Sequence, residues 1–382
     1  MATIRSYESF YSRAPAGHEP RDARNQRFLI AVWWTFVALA GVLTTIFGRE
    51  VLPAKFTLDA ATIHYYLEQR GLWDSFSLDG FVNTARVWFL VFQVLPEAVA
   101  IPAYYSLLVV VATRVLDLYA VRPAAYHVLA GGWVLCAAIF LSVPSKEMVA
   151  LPVALWFCLA GSWGARLLAT ALFLSYAVFF RQYWLICFVY FVFVLIAVRL
   201  HVAKRTRLAA CTLLLGFALP FLLADTLGFE PLTESRMTVN VDRVDSPDAR
   251  SAFDNPLENT GPATDIANAV VSWFYMNVPV ALLPGPELHY IFFAAFQLWT
   301  LWFFGAGCAR LLRDAKRIRR SDGIHLRCAA FVIAYSWTQA LFEPDFGSFL
   351  RHEIVVMIPM LIVVFYRAHA VRLQAGENPL RA

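Results

Sequence analysis

The sequence predicts an all-α protein that crosses a membrane many times, and three observations support this fold class. The chain has 382 residues, of which 60% are hydrophobic and only 15% are charged. Its mean hydropathy of +0.59 is typical of integral membrane proteins. Apolar runs near the roughly 20 residues of one helical crossing recur along the chain, without the alternating pattern of barrel strands. We therefore expect one polytopic membrane helical bundle over residues 1–382.

Ten apolar runs define the predicted crossings. They lie at residues 28–47, 98–117, 125–143, 147–161, 163–180, 182–200, 207–226, 287–311, 327–342 and 354–367. Lysine and arginine clusters mark cytoplasmic segments. Such clusters occur in the tail 1–27, in the segments 199–207 and 310–320, and in the tail 368–382 with Arg367 before it. One topology, with both termini in the cytoplasm, satisfies all four clusters.

The segment 81–118 is too long for one helix, and we expect its prolines, Pro96 and Pro102, to break it. The topology requires an odd number of crossings here. We therefore predict an interfacial or half-spanning piece that carries Arg86, followed by one full crossing, because irregular backbone at membrane depth is tolerated beside a cavity.

Two long insertions lie on the predicted outer, periplasmic side. The first, residues 48–80, is expected to hold one or two short amphipathic helices along the membrane interface. The second, residues 227–285, joins an acidic stretch rich in Asn, Pro and Thr to an aromatic amphipathic piece. Loops of this length are usually functional, often as lids, so we expect it to cover a site.

Cysteine usage and net charge exclude several classes of site. All six cysteines fall within apolar runs, which favours packing roles over disulfides or a metal centre. The net charge of +5 lies mainly in short loops, where it sets orientation and attracts anionic lipid head groups; it does not indicate a nucleic-acid partner. We expect no metal and no cofactor.

Charged residues interrupt the positive-inside pattern at three predicted outer hairpin tips. Lys146 and Glu147 lie in VPSKEMV, Arg181 lies in FFRQYW, and Arg351, His352 and Glu353 lie in GSFLRHEIVV. Basic residues usually avoid this side of the membrane. Ionisable groups in or near the bilayer usually face a cavity and mark a substrate path. A shared anionic ligand explains the three exceptions together.

Two arginines and one lysine suit a diphosphate. Guanidinium groups bind phosphate oxygens in a bidentate manner, whereas lysine acts as a point charge. Arg181, Arg351 and Lys146 are therefore the predicted diphosphate-binding residues, and the ligand is a polyprenyl diphosphate at the membrane surface. Glycosyl transfer from such a lipid develops charge on the departing diphosphate, which preorganised cations stabilise. The plain alternative for Arg181 is a snorkelling side chain in a tight hairpin.

Glycosyl transfer also needs a group that accepts the proton of the acceptor hydroxyl. The sequence does not choose among its candidates, which are Glu147, His352, Asp59 and the pair Glu343 and Asp345. Two of them have a simpler role as well. Glu147 suits a helix N-terminus through the helix dipole, and Asp59 suits the N-cap of a short helix.

Four motifs resemble those of the repeat-unit polymerases of O-antigen and exopolysaccharide assembly. They are KFTLDA after the first helix, PSKE and FRQYW at outer tips, and GSFLRHEIVVMIP near the end. The resemblance covers most of the chain and implies a fold similar to membrane glycosyltransferases with an extracytoplasmic active site, in a bacterial inner membrane. It implies that Arg181 and Arg351 grip the lipid diphosphate, and that chain-length regulator and flippase proteins are partners.

The leading functional hypothesis is an inner-membrane polymerase that transfers a growing glycan from polyprenyl diphosphate to a lipid-linked repeat unit. One alternative is a glycosyltransferase that uses a polyprenyl-monophosphate sugar, with Asp59 as the base. The others are a flippase or exporter of lipid-linked oligosaccharide and a non-enzymatic scaffold. The polar groups lie at one face of the predicted bundle. This favours an enzyme over a transporter, because a transporter needs charged residues through its depth.

Overall fold

The computed structural model describes residues 21–53, 58–69, 72–74, 76–118, 123–241, 252, 254–279, 282, 288–314 and 323–374. Over these residues the chain is helical, and the strand-type backbone pairing among them is one isolated β-bridge between Ala252 and Asp345. The predicted all-α fold class is therefore confirmed. Most of the N-terminal tail and the end of the C-terminal tail, at 1–20 and 375–382, lie outside the described part.

The described residues form fourteen helices. They are α1 (Arg21–Val51), α2 (Leu58–Glu68), α3 (Gly80–Phe92), α4 (Glu97–Leu118), α5 (Ala124–Phe140), α6 (Lys146–Leu159), α7 (Trp163–Phe179), α8 (Trp184–Val202), α9 (Thr206–Thr226), α10 (Glu234–Val241), α11 (Pro262–Asn277), α12 (Leu288–Asp314), α13 (Gly323–Phe342) and α14 (Phe346–Gln374). Each predicted apolar run overlaps one of these helices.

Six of these helices are long and apolar enough to cross a membrane, namely α1, α4, α8, α9, α12 and α14. The shorter helices α3, α5 and α7 are also apolar. Helix α14 lies at the centre of the bundle, because 83% of its most apolar window is buried and it packs against α5, α6, α12 and α13. The corresponding window of α1 is only 17% buried, which leaves most of that helix to face lipid.

The structure divides the segment 81–118 into a short helix, α3, and a full-length helix, α4. The break between them precedes Glu97 and includes Pro96. Pro102 lies inside α4, so the prediction that it also breaks the helix is wrong. An internal proline removes one backbone hydrogen bond, and α4 continues through it because its buried face, which includes Ile101 and Tyr105, is held by the bundle.

The first insertion, residues 48–80, docks on the hairpin between α7 and α8. Between the end of α1 and the start of α3, its described residues hold one helix, α2, which packs against α3. The side-chain amide of Asn83 in α3 donates to the carbonyl oxygen of Phe179 at 2.7 Å. A Cβ atom on Gly80 would stand 2.1 Å from the carbonyl oxygen of Phe180. Only glycine permits this approach, which places the start of α3 against the hairpin tip.

The second insertion, residues 227–285, is fixed to the bundle by buried polar contacts. It forms α10 and α11, and α11 packs against α9 and α13. The carboxylate of Asp265, which is 2% exposed, accepts hydrogen bonds from the backbone N–H and the hydroxyl of Thr233. The guanidinium of Arg236, which is fully buried, donates to the carbonyl oxygen of Ala340 in α13 at 3.1 Å.

Candidate functional site

The structure brings the six predicted site residues together at one end of the bundle. Five of them, Asp59, Lys146, Arg181, Arg351 and His352, line one cavity of about 710 Å³. The sixth, Glu147, lies behind the cavity wall in contact with three of the others. These residues come from α2, from the start of α6, from the α7–α8 hairpin and from the start of α14, so the site exists only in the folded bundle.

Glu147 joins the charged groups of the site. It lies in the first turn of α6, which Ser145 caps by accepting a hydrogen bond from the backbone of the third helical residue. Its side chain is fully buried, and its Oε1 atom pairs with the guanidinium of Arg181. The same oxygen is 3.5 Å from Nε of Arg351 and 3.1 Å from Nε2 of His352. This arrangement makes Glu147 an anion that positions cations and leaves it off the cavity wall.

Arg181 lies at the tip of the α7–α8 hairpin and is only 6% exposed. Its guanidinium donates to the carboxylate of Glu147 and to the hydroxyl of Tyr183. Burial acts to lower the pKa of Arg181, but Tyr183 and Glu147 outweigh it and hold that pKa well above its ordinary value. A snorkelling arginine would extend into water, so its burial at the cavity wall does not fit the plain alternative.

Lys146 is a cation on the cavity wall that stands over an aromatic ring. Its ammonium nitrogen stands 3.1 Å above the centroid of the Phe81 ring, which is a cation–π contact. Burial and, next, the charge of Arg181 lower the pKa of Lys146 to about 8. Lys146 therefore loses its proton more readily than an ordinary lysine. An anion bound in the cavity would raise the pKa of Lys146 again.

Arg351 and Asp59 form an ion pair across the cavity mouth. The Nη1 atom of Arg351 lies 3.1 Å from Oδ2 of Asp59, and the side chains are 23% and 22% exposed. Asp59 stands in the first turn of α2, so the pair ties the first insertion to α14. Within the described residues, Asp59 is the carboxylate that lines the cavity, which makes it the best placed of the predicted proton acceptors.

His352 is held between two carboxylates. Its Nδ1 atom pairs with Glu343, which is 2% exposed, and its Nε2 atom faces Glu147. Both ring nitrogens are thus engaged by the protein, which suits His352 to positioning more than to accepting a proton. Asp345, the other member of the predicted pair, accepts a hydrogen bond from the backbone N–H of Ser348 at 2.8 Å and caps α14.

Several residues of the cavity carried no signal in the sequence. Aromatic and aliphatic side chains complete its wall, and these are Leu78, Phe81, Phe180, Tyr183, Ile186 and Phe342. Tyr183 follows Arg181 closely enough in sequence to bond to it, and this closeness is the signal that could have identified it. In the described part of the chain, the wall residues outside helices are Leu78 of the first insertion and residues 180–183 of the α7–α8 hairpin, and none come from residues 227–285. The lid expected of the second insertion is therefore not seen there.

Comparisons of the chain with protein-family models, with characterised proteins and with solved structures found no match. The described residues contain no group of three or more His, Cys, Asp or Glu side chains suited to a metal ion. Any function assigned to the chain must therefore come from the geometry and charge of its own residues.

Proposed function

We propose that this protein is a membrane glycosyltransferase of the polysaccharide-polymerase type, which transfers a growing glycan from polyprenyl diphosphate to a lipid-linked repeat unit. One observation carries the proposal: Arg181, Arg351 and Lys146, from distant parts of the chain, line a single cavity of about 710 Å³. This volume is within the range of small-molecule sites, which is roughly 300–1,000 Å³. Three cations around one hollow fit a ligand with more than one negative charge.

The proposed reaction uses these residues in separate roles. The acceptor hydroxyl oxygen attacks the anomeric carbon of the donor, the bond from that carbon to the diphosphate oxygen breaks, and its electron pair leaves with the diphosphate. Arg181, Arg351 and Lys146 stabilise the charge that develops there. Asp59 takes the hydroxyl proton. Glu147 and His352 hold the arginines and each other in place, so little reorganisation is needed during the reaction.

The distribution of charge along the bundle supports an outer-leaflet site. At the opposite end, Arg327 of α13 donates to the carbonyl oxygens of Cys158 and Ala160 at the end of α6. Arg166 of α7 donates to the carbonyls of Ala160 and Gly161. Of the basic segments that the positive-inside rule assigns to the cytoplasm, the one at residues 199–207 lies between α8 and α9, at the end of α8 away from the hairpin tip. The proposal also includes ten membrane crossings, both termini in the cytoplasm and a periplasmic site in a bacterial inner membrane.

A second candidate function uses a polyprenyl-monophosphate sugar as donor. The position of Asp59 favours it, because this carboxylate lines the cavity and belongs to the first outer insertion. The two functions differ in how strongly their activity depends on Asp59. Asp59→Asn should abolish activity if the donor is a monophosphate with Asp59 as the essential base. It should only weaken polymerisation from a diphosphate, because a diphosphate held by three cations leaves more readily and the transfer then depends less on proton removal.

The proposed function is tested with the purified chain in vesicles that contain labelled polyprenyl-diphosphate-linked oligosaccharide. We expect longer lipid-linked glycans and free polyprenyl diphosphate, measured by gel electrophoresis and thin-layer chromatography. Translocation of the labelled lipid across the bilayer without any lengthening would contradict the proposal and would identify a flippase. Unchanged polymer length in cells that carry Arg181→Ala and Arg351→Ala would instead identify a non-enzymatic scaffold.

A further inference from the structure

A second, smaller cavity lies inside the bundle between α11, α12, α13 and α14. Its volume is about 70 Å³. Three polar side chains on its wall are almost fully buried, since Gln297 and Gln339 are each 2% exposed and Glu353 is 7% exposed. Polar groups at such a depth are costly unless they are paired, so this cavity requires a physical explanation separate from the glycan site.

The amide nitrogens of both glutamines are used by protein acceptors. Nε2 of Gln297 donates to Oε1 of Glu353 at 3.3 Å, and Nε2 of Gln339 donates to the carbonyl oxygen of Phe349 at 3.1 Å. These bonds fix the orientation of each amide group. The remaining oxygens, Oε1 of each glutamine and Oε2 of Glu353, have no hydrogen-bond partner within the described residues.

Two hydroxyl groups add further oxygens to the wall. The Ser336 hydroxyl accepts a hydrogen bond from the Trp273 indole at 2.9 Å, and the Thr300 hydroxyl accepts one from the Trp133 indole at 3.1 Å. Ser336 and Thr300 both line the cavity. No ion pair joins Glu353 to a cation in the part of the chain that the structure describes. The wall therefore presents an excess of oxygen acceptors around one carboxyl group.

A carboxylate in a low-dielectric interior must be neutralised by a proton, a cation or a metal ion. Carboxylate, amide and hydroxyl oxygens are the ligands that hard cations prefer. One carboxylate balances one positive charge, and a cavity of about 70 Å³ has room for a small ion and about one water molecule, at roughly 30 Å³ per water. We propose that this cavity binds one monovalent metal cation of the sodium class, held by Glu353, Gln297 and Gln339.

The proposed cation site lies next to residues of the glycan cavity, although cation binding does not depend on that cavity. Glu353 directly follows Arg351 and His352 in the first turns of α14. A bound cation would fix the rotation of this helix, and so would hold those two residues in register. Cation binding itself needs neither the donor lipid nor transfer activity. The proposed function and the cation site can therefore be tested independently.

The test uses the purified full chain in detergent and radioactive ²²Na⁺ as the probe, measured by a scintillation proximity assay. We expect about one bound Na⁺ per chain, as a single carboxylate allows, displaced by unlabelled NaCl and not by choline chloride. Glu353→Gln should reduce the displaceable binding at least tenfold. The control Asp225→Asn, which changes an exposed carboxylate at the end of α9, should keep it.

A second variant separates loss of the ligand from loss of the fold. Gln339→Met removes one amide oxygen and leaves the carboxylate, and we expect it to weaken Na⁺ binding while the protein still elutes as a single species. If Glu353→Gln aggregates, Gln339→Met is compared with Asp225→Asn in its place. Absence of displaceable ²²Na⁺ in the unmodified protein would overturn the proposal and would indicate a protonated Glu353 with water. Full binding in both variants would overturn it as well.

Discussion

Glu147 is the residue on which the other charges of the site depend. It was a candidate base in the sequence, and its position in a predicted outer tip was the only available clue. The structure shows a fully buried carboxylate shared by Arg181, Arg351 and His352. Sequence reasoning can place charges at one end of a bundle from topology, because topology follows from basic clusters. It cannot assign their partners, because the pairs join residues far apart in the chain.

Removing the charge of Glu147 should destabilise the protein. Glu147→Gln leaves the guanidinium of Arg181 buried without its counter-charge, and breaking one partner of a buried ion pair typically costs about 3–5 kcal/mol. We expect a lower midpoint of thermal unfolding in detergent, followed by intrinsic tryptophan fluorescence. Glu50→Gln, an exposed carboxylate at the end of α1, is the matched control and should unfold as the unmodified protein does. Equal midpoints for both variants would contradict the role given to Glu147.

The guanidinium of Arg181 should not be replaceable by an ammonium group. Arg181→Lys keeps a positive charge but loses the fork that reaches Glu147 and Tyr183 together. Charge-assisted hydrogen bonds contribute about 1.5–3 kcal/mol, so we expect about a tenfold to hundredfold lower rate of glycan lengthening. Arg313→Lys, an exposed residue near the end of α12, is the control. Full polymer yield from Arg181→Lys would count against the assignment.

Lys146 should make catalysis sensitive to pH. Burial and the nearby Arg181 lower the pKa of Lys146 to about 8. Lysine is charged below its pKa, so the cavity should attract an anionic donor below pH 8 and attract it less as the pH rises through that value. We expect kcat/KM, which reports groups of the free enzyme, to fall over this range.

Replacement by arginine checks that Lys146 causes this fall. Lys146→Arg keeps the cation charged to higher pH, so the decline in kcat/KM should move upward in pH. Lys204→Arg, at the opposite end of the bundle between α8 and α9, should leave the profile unchanged. An unshifted profile in Lys146→Arg would show that another group titrates.

The helices themselves could be predicted more fully than their contacts. Each apolar run overlaps a helix because the membrane requires backbone hydrogen bonds to be satisfied within the segment. The division of 81–118 into α3 and α4 also followed from its length and from Pro96. The roles of the two insertions did not follow, because the docking of residues 48–80 depends on Asn83 and Gly80 meeting a hairpin that is distant in sequence.

The second insertion should lose local order when its buried carboxylate is removed. The backbone N–H groups of Leu232 and Thr233 both donate to Asp265, and unpaired buried donors cost about 1–3 kcal/mol each. In Asp265→Ala we expect faster hydrogen exchange of peptides that cover residues 231–241, measured by mass spectrometry. Glu258→Ala, an exposed acidic residue of the same insertion, should not change their exchange. Equal exchange in both variants would contradict the structural role of Asp265.

The whole bundle has two chemically different ends. One end gathers the cations and carboxylates of the 710 Å³ cavity. At the other, Arg166 and Arg327 satisfy carbonyl groups at the end of α6. The central helix, α14, is mostly buried and carries Arg351 and His352 at the first of these ends. Composition predicted a membrane bundle, and the basic clusters predicted charges at one face of it. The burial of α14 could not be predicted, because it depends on packing between helices that are distant in sequence.

The most direct test of the account is the affinity of the purified chain in nanodiscs for a polyprenyl diphosphate and for the monophosphate of equal chain length. Two arginines and a lysine around one cavity predict that the diphosphate binds about tenfold more tightly. Arg181→Lys and Arg351→Gln should each remove most of that difference, whereas Arg313→Lys should keep it. Equal affinity for the two lipids, or an unchanged preference in both cavity variants, would contradict a shared diphosphate site.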